Sequence, residues 1–582
     1  MAQAFDHGRA RERLDGRIAF VAAAFATAFA FAALLDRVGA PPRFVETVAP
    51  CFTIAALAAL GFMLRTMRVS LYYVAGRAIP TEYAGFALGA LAAAFVCVMP
   101  AQFAGRSSLF GLAGGTFLGI AIAGCGVGPL LRKSDAFSLS GLFAQRFASS
   151  APRLIALSLA SLTAALVAMA GQQAAVDGLT EIFGGGRVLA AVIVGAAVLF
   201  VGAPGGLFGA LWAVCAAGAV AILGFGWPLL AAALQGSPPF DGAPPQEVSS
   251  LLTRWGALSL EGGGVGEWLV GLSAMIGAAT LAPLLAPAIA TQDAGGARRA
   301  GLLGCGWALL FAWLVASTAS GAALSLARQS VGLAPERLPD AVFELSARGE
   351  LTLCGRIAPD PVAARAACGK SGAPLAAKNI AFGDALLLTG LPRLEGMSAG
   401  VAGLTAAARV ALALALAAAG LQAFGTTLGH EALYRMRRGA QLTSRRLATT
   451  RLSLTGLVAL GVILSGFVVA DPAALAARAL CFSGGLLTPL AGLTLWPRIA
   501  DRDALTALVA GLVAMAVTML ALGDMRQLEA LGAAALAGAV VSIAAGSISA
   551  YSRPCARPEP GEAFVSRLLH GDGGVVGHDR GA

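Results

Sequence analysis

Four polar side chains stand inside long apolar stretches of the sequence, and their types suit the binding of a solute or an ion. They are Gln102, Gln172, Thr280 and Arg409. A polar or charged group costs free energy inside a bilayer, so one that is kept there commonly lines a path for a substrate or an ion. A structural interpretation remains open for each residue. Gln102 could pair with backbone groups freed by a helix break, and Gln172 could lie at the membrane interface. Thr280 could bond a carbonyl of its own helix, and Arg409 could reach water at the membrane surface.

The chain offers few groups for catalysis. It has four histidines, and its sequence contains no metal-ligand spacing, phosphate-binding loop or Ser/His/Asp arrangement. His430 stands beside a group of arginines and is interpreted as a helix-end residue. We therefore expect no enzymatic activity, no catalytic residue and no metal site, and no cofactor other than a coupling ion such as Na⁺ or H⁺.

The elements that must position the four polar residues are transmembrane helices. The 582 residues are 58% hydrophobic and 12% charged, with a mean hydropathy of +0.78, whereas soluble domains carry about 25% charged residues. Helices need about 20 apolar residues to cross a bilayer, and a β-barrel would show short alternating segments instead. The sequence predicts fourteen spans, which are 18–35, 48–64, 82–104, 109–131, 154–172, 187–203, 207–233, 266–289, 301–326, 401–428, 452–470, 474–496, 504–522 and 527–549.

The net charge of +10 is explained by the membrane and not by a nucleic-acid partner. Arginines fall in alternate short loops, for example at Arg65, Arg132 and Arg498, while loops of opposite parity carry Asp177 and Asp471. Positive loops remain on the cytoplasmic side. The pattern predicts a multi-pass protein of a bacterial-type inner membrane, with both termini in the cytoplasm and the lipid bilayer as a partner. The oligomeric state is left open.

Polar segments and helix breaks divide the chain into six regions. The predicted regions are a cytoplasmic N-terminus (1–17), two N-terminal helices (18–64), a first repeat (82–233), a second repeat (266–496) with an outer loop (327–400), two C-terminal helices (504–549) and a disordered tail (552–582). We expect short helices in the outer loop to cap the outer entrance, and an amphipathic helix within 134–150 to lie on the inner membrane surface. A disulfide between Cys354 and Cys368 is left open.

Two spans are interrupted by Pro and Gly at matching places, as in transporters with inverted repeats. The first break covers 99–105 (Met-Pro-Ala-Gln-Phe-Ala-Gly) and the second covers 277–283 (Gly-Ala-Ala-Thr-Leu-Ala-Pro). They lie five helices apart and start from opposite sides. We therefore expect two blocks of five helices, flanked by two helices at each end, with the broken helices side by side.

Six strings in order resemble motifs of the sodium:solute symporter family, in particular its acetate-permease-like branch. They are 72–77 (Tyr-Tyr-Val-Ala-Gly-Arg), 101–105 (Ala-Gln-Phe-Ala-Gly), 172–184 (ending in Phe-Gly), 205–212 (Gly-Gly-Leu-Phe-Gly-Ala-Leu-Trp), 293–299 (Asp-Ala-Gly-Gly-Ala-Arg-Arg) and 425–434 (Gly-Thr-Thr-Leu-Gly-His-Glu-Ala-Leu-Tyr). The resemblance implies an all-α fold of the leucine-transporter type with a five-plus-five inverted repeat. It also implies a substrate cavity between the broken helices, with Phe103 beside Gln102, and alternating access driven by a cation gradient.

The sequence departs from that family where sodium would bind. The resemblance places cation-binding backbone carbonyls near Phe95 and Val98, and two side-chain hydroxyls within 411–417. That second stretch reads Ala-Leu-Ala-Leu-Ala-Leu-Ala and has no hydroxyl. An arginine often found near the end of the second broken helix is also replaced, with Pro287 near that place. Because sodium needs oxygen ligands, we expect it to stimulate transport weakly or not at all.

These observations predict a secondary active transporter, a cation:solute symporter for a small organic solute such as the short monocarboxylate acetate. One alternative is a degenerate member of the family that acts as a uniporter or as a proton-coupled carrier, using Glu431 or Asp293. The other is a membrane sensor or assembly subunit that does not transport. The substrate and the coupling ion are not specified by the sequence.

Overall fold

The computed structural model describes residues 23–99, 111–236, 265–369, 374–435, 442–523, 527–554 and 559–570. Within these ranges twelve helices are long and apolar enough to cross a membrane, α6 is shorter, and α1 is described only from residue 23. The bounds are 23–37 (α1), Pro42–Met63 (α2), Thr81–Val98 (α3), Leu112–Lys133 (α4), Ser150–Phe183 (α5), Arg187–Gly202 (α6), Gly206–Gln235 (α7), Val265–Ile289 (α8), Ala294–Ser330 (α9), Ala399–Gly425 (α10), Thr443–Phe467 (α11), Pro472–Thr494 (α12), Asp501–Ala521 (α13) and Gln527–Tyr551 (α14). Each predicted span corresponds to one of these helices.

The predicted break in α8 is present. One half, Val265–Ala278, ends there, and the second half begins at Ala282 after an extended Leu281. Pro283 lies in the first turn of the second half, where its missing N–H is tolerated. The Thr280 amide donates to the Gly277 carbonyl at 3.3 Å instead of continuing the α-helical pattern. Helix α3 ends at Val98, and most of the predicted first break, including Gln102 and Phe103, lies outside the described residues.

Helix pairs repeat with a spacing of five, which confirms the five-plus-five inverted repeat. Helix α3 packs against α9, and α4 packs against α8; replacing each helix of one pair by its counterpart five positions away in the other block gives the other pair. The contacts of α7 with α10 and of α12 with α5 have the same relation. The pairs α5 with α10 and α6 with α11 map onto themselves. This pattern is the one expected of two inverted blocks, α3–α7 and α8–α12.

Glycine allows the closest of these helix contacts. A Cβ added to Gly115 of α4 would lie 1.9 Å from the Gly271 carbonyl oxygen of α8, and one added to Gly89 of α3 would lie 2.3 Å from the Trp307 Cβ of α9. Small residues in membrane helices let backbones approach and gain dispersion energy without a hydrophobic driving force. The close contact between α4 and α8 therefore depends on the lack of a side chain at Gly115.

The segment between α9 and α10 forms a small folded cap, which defines the loop face of the bundle. It contains the antiparallel strands β1 (Leu351–Leu353) and β2 (Ile380–Phe382). Short helices surround the strands, at Asp340–Ala347, Pro361–Cys368, Asp384–Thr389 and Leu391–Leu394. Cys354 and Cys368 are joined by a disulfide. We call the opposite end, which carries Tyr72 and Tyr73, the tyrosine face.

Two surface expectations need correction. The sequence predicts that the helix within 134–150, Leu139–Arg146, presents its apolar side to the inner membrane surface, but that side is covered by the protein, and Arg146 donates to the carbonyls of Trp496 and Pro497. The tail is helical over Glu562–His570, where Val565 and Leu568 are buried. The amphipathic pattern of this helix places Val565 and Leu568 on one apolar side, and this side is the one that is buried.

Candidate functional site

A cavity of about 260 Å³ lies at the loop face, between the bundle and the cap. Its charged lining consists of Glu181 on α5, Arg409 on α10, and Glu350 and Arg393 from the cap. Arg409 is buried and donates to both carboxylate oxygens of Glu181. A guanidinium is always charged and binds planar carboxylates through two parallel bonds. Arg409, predicted as a site residue, thus belongs to the charged lining of this cavity.

The cap closes over this cavity through ion pairs. Arg393 donates to both oxygens of Glu350, at 2.8 and 2.9 Å, and to Glu46 of α2 at 2.8 Å. Arg348 also donates to Glu46, at 2.7 Å. Burial lowers the pKa of the Arg348 guanidinium, but the hydrogen bonds that it donates to Glu46 and Glu344 raise it by more, so that it lies above its ordinary value. These groups hold the cap against α2.

A second cavity, of about 360 Å³, lies at the tyrosine face. The second half of α8 contributes Ala282 and Leu285 to its wall, and α10 contributes Gln422. Tyr73 lines the same cavity and bonds Thr450 of α11 through its hydroxyl at 2.7 Å. The cavity therefore reaches the second half of the broken helix.

Helix α10 contacts both cavities but separates them. Arg409 and Gln422 are thirteen residues apart, which is about 20 Å along an α-helix. Every residue from 410 to 421 is buried. This stretch includes the hydroxyl-free segment 411–417, which packs against α5 and α7. The two cavities thus lie toward opposite ends of α10, with this buried stretch between them.

Thr280 lies in the break of α8, as predicted, and is buried. Its hydroxyl oxygen is 3.0 Å from the Ser483 hydroxyl and 2.6 Å from the Thr488 hydroxyl, both on α12. It therefore bonds a neighbouring helix and not the carbonyl a turn earlier. The three hydroxyls thus form a polar group at the break in α8, the one predicted break that lies within the described residues.

Gln172 takes a different position from Arg409 and Thr280. It is buried where α5 meets α6 and α11, and a Cβ added to Gly461 of α11 would lie 2.3 Å from its side-chain oxygen. It does not line either cavity. Phe95 and Val98 are buried in the last turn of α3, a helix that contacts α10. The structure thus brings Arg409 to one cavity and Thr280 near the other, without joining them in a single site.

Several polar residues at these places were not predicted from the sequence. Glu350 and Arg393 belong to the cap, whose fold gives no periodic signal. Gln422, Ser483 and Thr488, in contrast, are polar residues within predicted spans, and the criterion that selected Thr280 would also have selected them.

Comparison with solved structures agrees with this arrangement. A Na⁺-coupled sialic acid symporter, solved in a substrate-bound outward-open state, matches with a TM-score of 0.67 and 17% sequence identity, over 88% of this chain and 98% of that one. The chain has a leucine-transporter-type fold. A nucleobase-cation-symport-1 family transporter in a closed conformation matches with a TM-score of 0.47 and 15% identity, over 87% of this chain and 100% of that one. No family model matches the sequence, and no curated relative matches it either.

Proposed function

We propose that this protein is a secondary transporter that carries a small organic solute across the cell membrane by alternating access. The observation that supports this proposal is the pair of cavities toward opposite ends of α10, with the buried stretch 410–421 between them. A carrier needs a site that opens to one side at a time, and bundle motion around a fixed helix provides it. The solved symporter of similar fold supports the same function.

The loop-face cavity favours a small anion such as a short monocarboxylate. Its two arginines are balanced by two carboxylates, Glu181 and Glu350. A carboxylate solute would bind Arg409 in competition with Glu181, and so would loosen the contact between α5 and α10. Acetate is the simplest solute of this chemistry.

Coupling to a cation gradient is the leading form of the proposal, and uniport or proton coupling is the second. The hydroxyl-free stretch 411–417 favours the second form. Of the two acids considered for proton coupling, Asp293 caps α9 by accepting from the Gly296 amide, and Glu431 is buried in the π-helical turn that follows α10. A sensor or assembly subunit would bind the solute without moving it.

Uptake by the full-length chain in proteoliposomes tests the proposal. We expect labelled acetate, or another short monocarboxylate, to accumulate under an imposed sodium or proton gradient. Arg409→Gln should lower the rate at least tenfold. Arg187→Gln is the matched control, because Arg187 also pairs with an acid of α5, Asp177 at 2.7 Å, but does not line the cavity. Absence of uptake for all short carboxylates under both gradients, with retained binding, would instead indicate a sensor.

A further inference from the structure

Three hydroxyls and two carbonyls converge at the break in α8. Besides the contacts of Thr280 with Ser483 and Thr488, the Thr488 hydroxyl lies 2.9 Å from the Ile276 carbonyl oxygen and 3.3 Å from the Ser483 carbonyl oxygen. Thr280 and Ser483 are buried. The group, which we call the hydroxyl cluster, therefore consists of five neutral oxygens that four contacts within hydrogen-bond distance link together.

A π-helical turn makes the cluster. Ser483 and Thr488 are five residues apart, which in an α-helix places two side chains about 140° apart. Residues Ser483–Leu487 form a π-helix, and the Thr488 amide donates to the Ser483 carbonyl across five residues. The wider turn brings both hydroxyls to the same side, toward Thr280. Such turns are rare and occur frequently at functional sites.

The break in α8 adds an electrostatic contribution. An unbroken helix would pair the Ile276 carbonyl with the Thr280 amide, but that amide bonds Gly277 instead. The Ile276 carbonyl thus points to Thr488 from the C-terminal end of a half-helix, where the helix dipole is negative. In transporters with broken helices, such carbonyls and half-helix ends coordinate sodium ions.

We propose that the hydroxyl cluster binds the coupling cation, and that this cation is Na⁺. The inference rests on the proposed transport function and names its ion site. Hydroxyl and carbonyl oxygens are the ligands of a hard monovalent cation, and each hydroxyl keeps lone pairs when its proton turns away. Ala282, two residues beyond Thr280, lines the tyrosine-face cavity, so an ion there lies beside a route to that face. This proposal predicts sodium stimulation, in contrast to the expectation of weak stimulation drawn from 411–417, and the two expectations are tested against each other.

A purely structural role would have a different signature. If the hydroxyls only join α8 to α12, their loss destabilises the protein equally in every salt. If they bind sodium, the wild type is stabilised by sodium through mass action, and the loss of a hydroxyl removes that increment. The variants are therefore compared in NaCl, KCl and choline chloride at equal ionic strength.

The test uses the purified full-length chain in detergent, with thermal unfolding and equilibrium binding of ²²Na⁺ as readouts. We expect sodium to raise the unfolding temperature of the wild type more than potassium or choline does. Thr280→Val and Thr488→Val should weaken sodium binding at least tenfold, while Thr280→Ser should retain it. Thr318→Val is the matched control, because Thr318 is equally buried but bonds only the Leu314 carbonyl of its own helix.

Three results would overturn the site: no sodium-specific effect in the wild type, wild-type binding in both valine variants, or loss of binding in Thr280→Ser. The outcome is separable from that of the proposed function. If no solute is carried under any gradient but sodium binding follows the expected pattern, the transport proposal fails and the site stands. If uptake by Thr280→Val keeps the wild-type dependence on sodium concentration, the site fails and the transport proposal stands.

Discussion

Arg393 of the cap donates to Glu46 of α2, with an N–O distance of 2.8 Å. This bond joins the cap, which lies between α9 and α10 of the second repeat, to a helix outside both repeats. Arg348 donates to the same carboxylate. The Glu46 side chain is only 6% exposed. One buried carboxylate therefore fixes two arginines, and the position of the cap depends on it.

Replacing that carboxylate should weaken the cap strongly. Removing one partner of a buried ion pair leaves the other charge uncompensated, at a cost of about 3 kcal/mol. We expect Glu46→Gln to lower the apparent unfolding temperature and to increase amide exchange across β1 and β2. Glu336→Gln is the control, since Glu336 pairs with Arg365 at the surface, where a pair contributes about 1 kcal/mol or less. Equal effects of the two substitutions would contradict the role of Glu46.

The stability of the cap should also depend on pH through Glu350. Burial raises the pKa of this carboxyl above its ordinary value, and the positive charge of Arg393 opposes the shift only in part. Protonation of Glu350 therefore stabilises the fold. This contribution is complete below the ordinary carboxyl pKa of about 4.3 and is lost as the pH rises through the raised pKa.

Thermal unfolding over a pH series measures this contribution. As the pH is lowered toward about 5, the unfolding temperature of the wild type should rise relative to that of Glu350→Gln. The reason is that Glu350 takes up a proton in the folded state, whereas the amide cannot. Glu336→Gln serves again as a control, and its difference from wild type should change less. A difference for Glu350→Gln that stays constant across the series would refute the raised pKa.

The contact of α4 with α8 should tolerate no side chain at Gly115. An added Cβ would lie 1.9 Å from the Gly271 carbonyl oxygen, so the helices would have to separate. We expect Gly115→Ala to destabilise the protein by about 2 kcal/mol, in the range for overpacking, and to reduce the amount recovered from membranes. Gly306→Ala, where a Cβ meets no atom within 4 Å, should have little effect. Normal recovery and stability of Gly115→Ala would show that the two helices are less close.

The orientation predicted from the arginines can be measured at two exposed positions. Val362 lies on the cap and is 77% exposed, and Met67, on the tyrosine face, is 67% exposed. In a protein whose other free cysteines are replaced by serine, Val362→Cys should react with an impermeant thiol reagent from outside intact cells. Met67→Cys should react only after the cells are opened. The reverse pattern would invert the topology.

The sequence predicted the parts of the fold that depend on local chemistry. Apolar length located the helices, and Pro283 with Gly277 located the break in α8. It misplaced the helix Leu139–Arg146, because the carbonyls that bind Arg146 come from residues about 350 positions later. The candidate site was predicted in part: Arg409 and Thr280 were recognised as unusual, but their partners were not. Ser483 and Thr488 face Thr280 only through a π-helical turn, which no periodicity of the sequence indicates.

If the proposed transport function holds, the buried stretch of α10 limits the rate of turnover. Twelve consecutive residues between the two cavities are buried, so the described part of the chain leaves no open path along this helix for ions or water. Every solute molecule would then wait for a rearrangement of the bundle, and such collective motions take from microseconds to seconds. Turnover should saturate as the solute concentration rises, and a patch of membrane containing the protein should carry no discrete unitary currents.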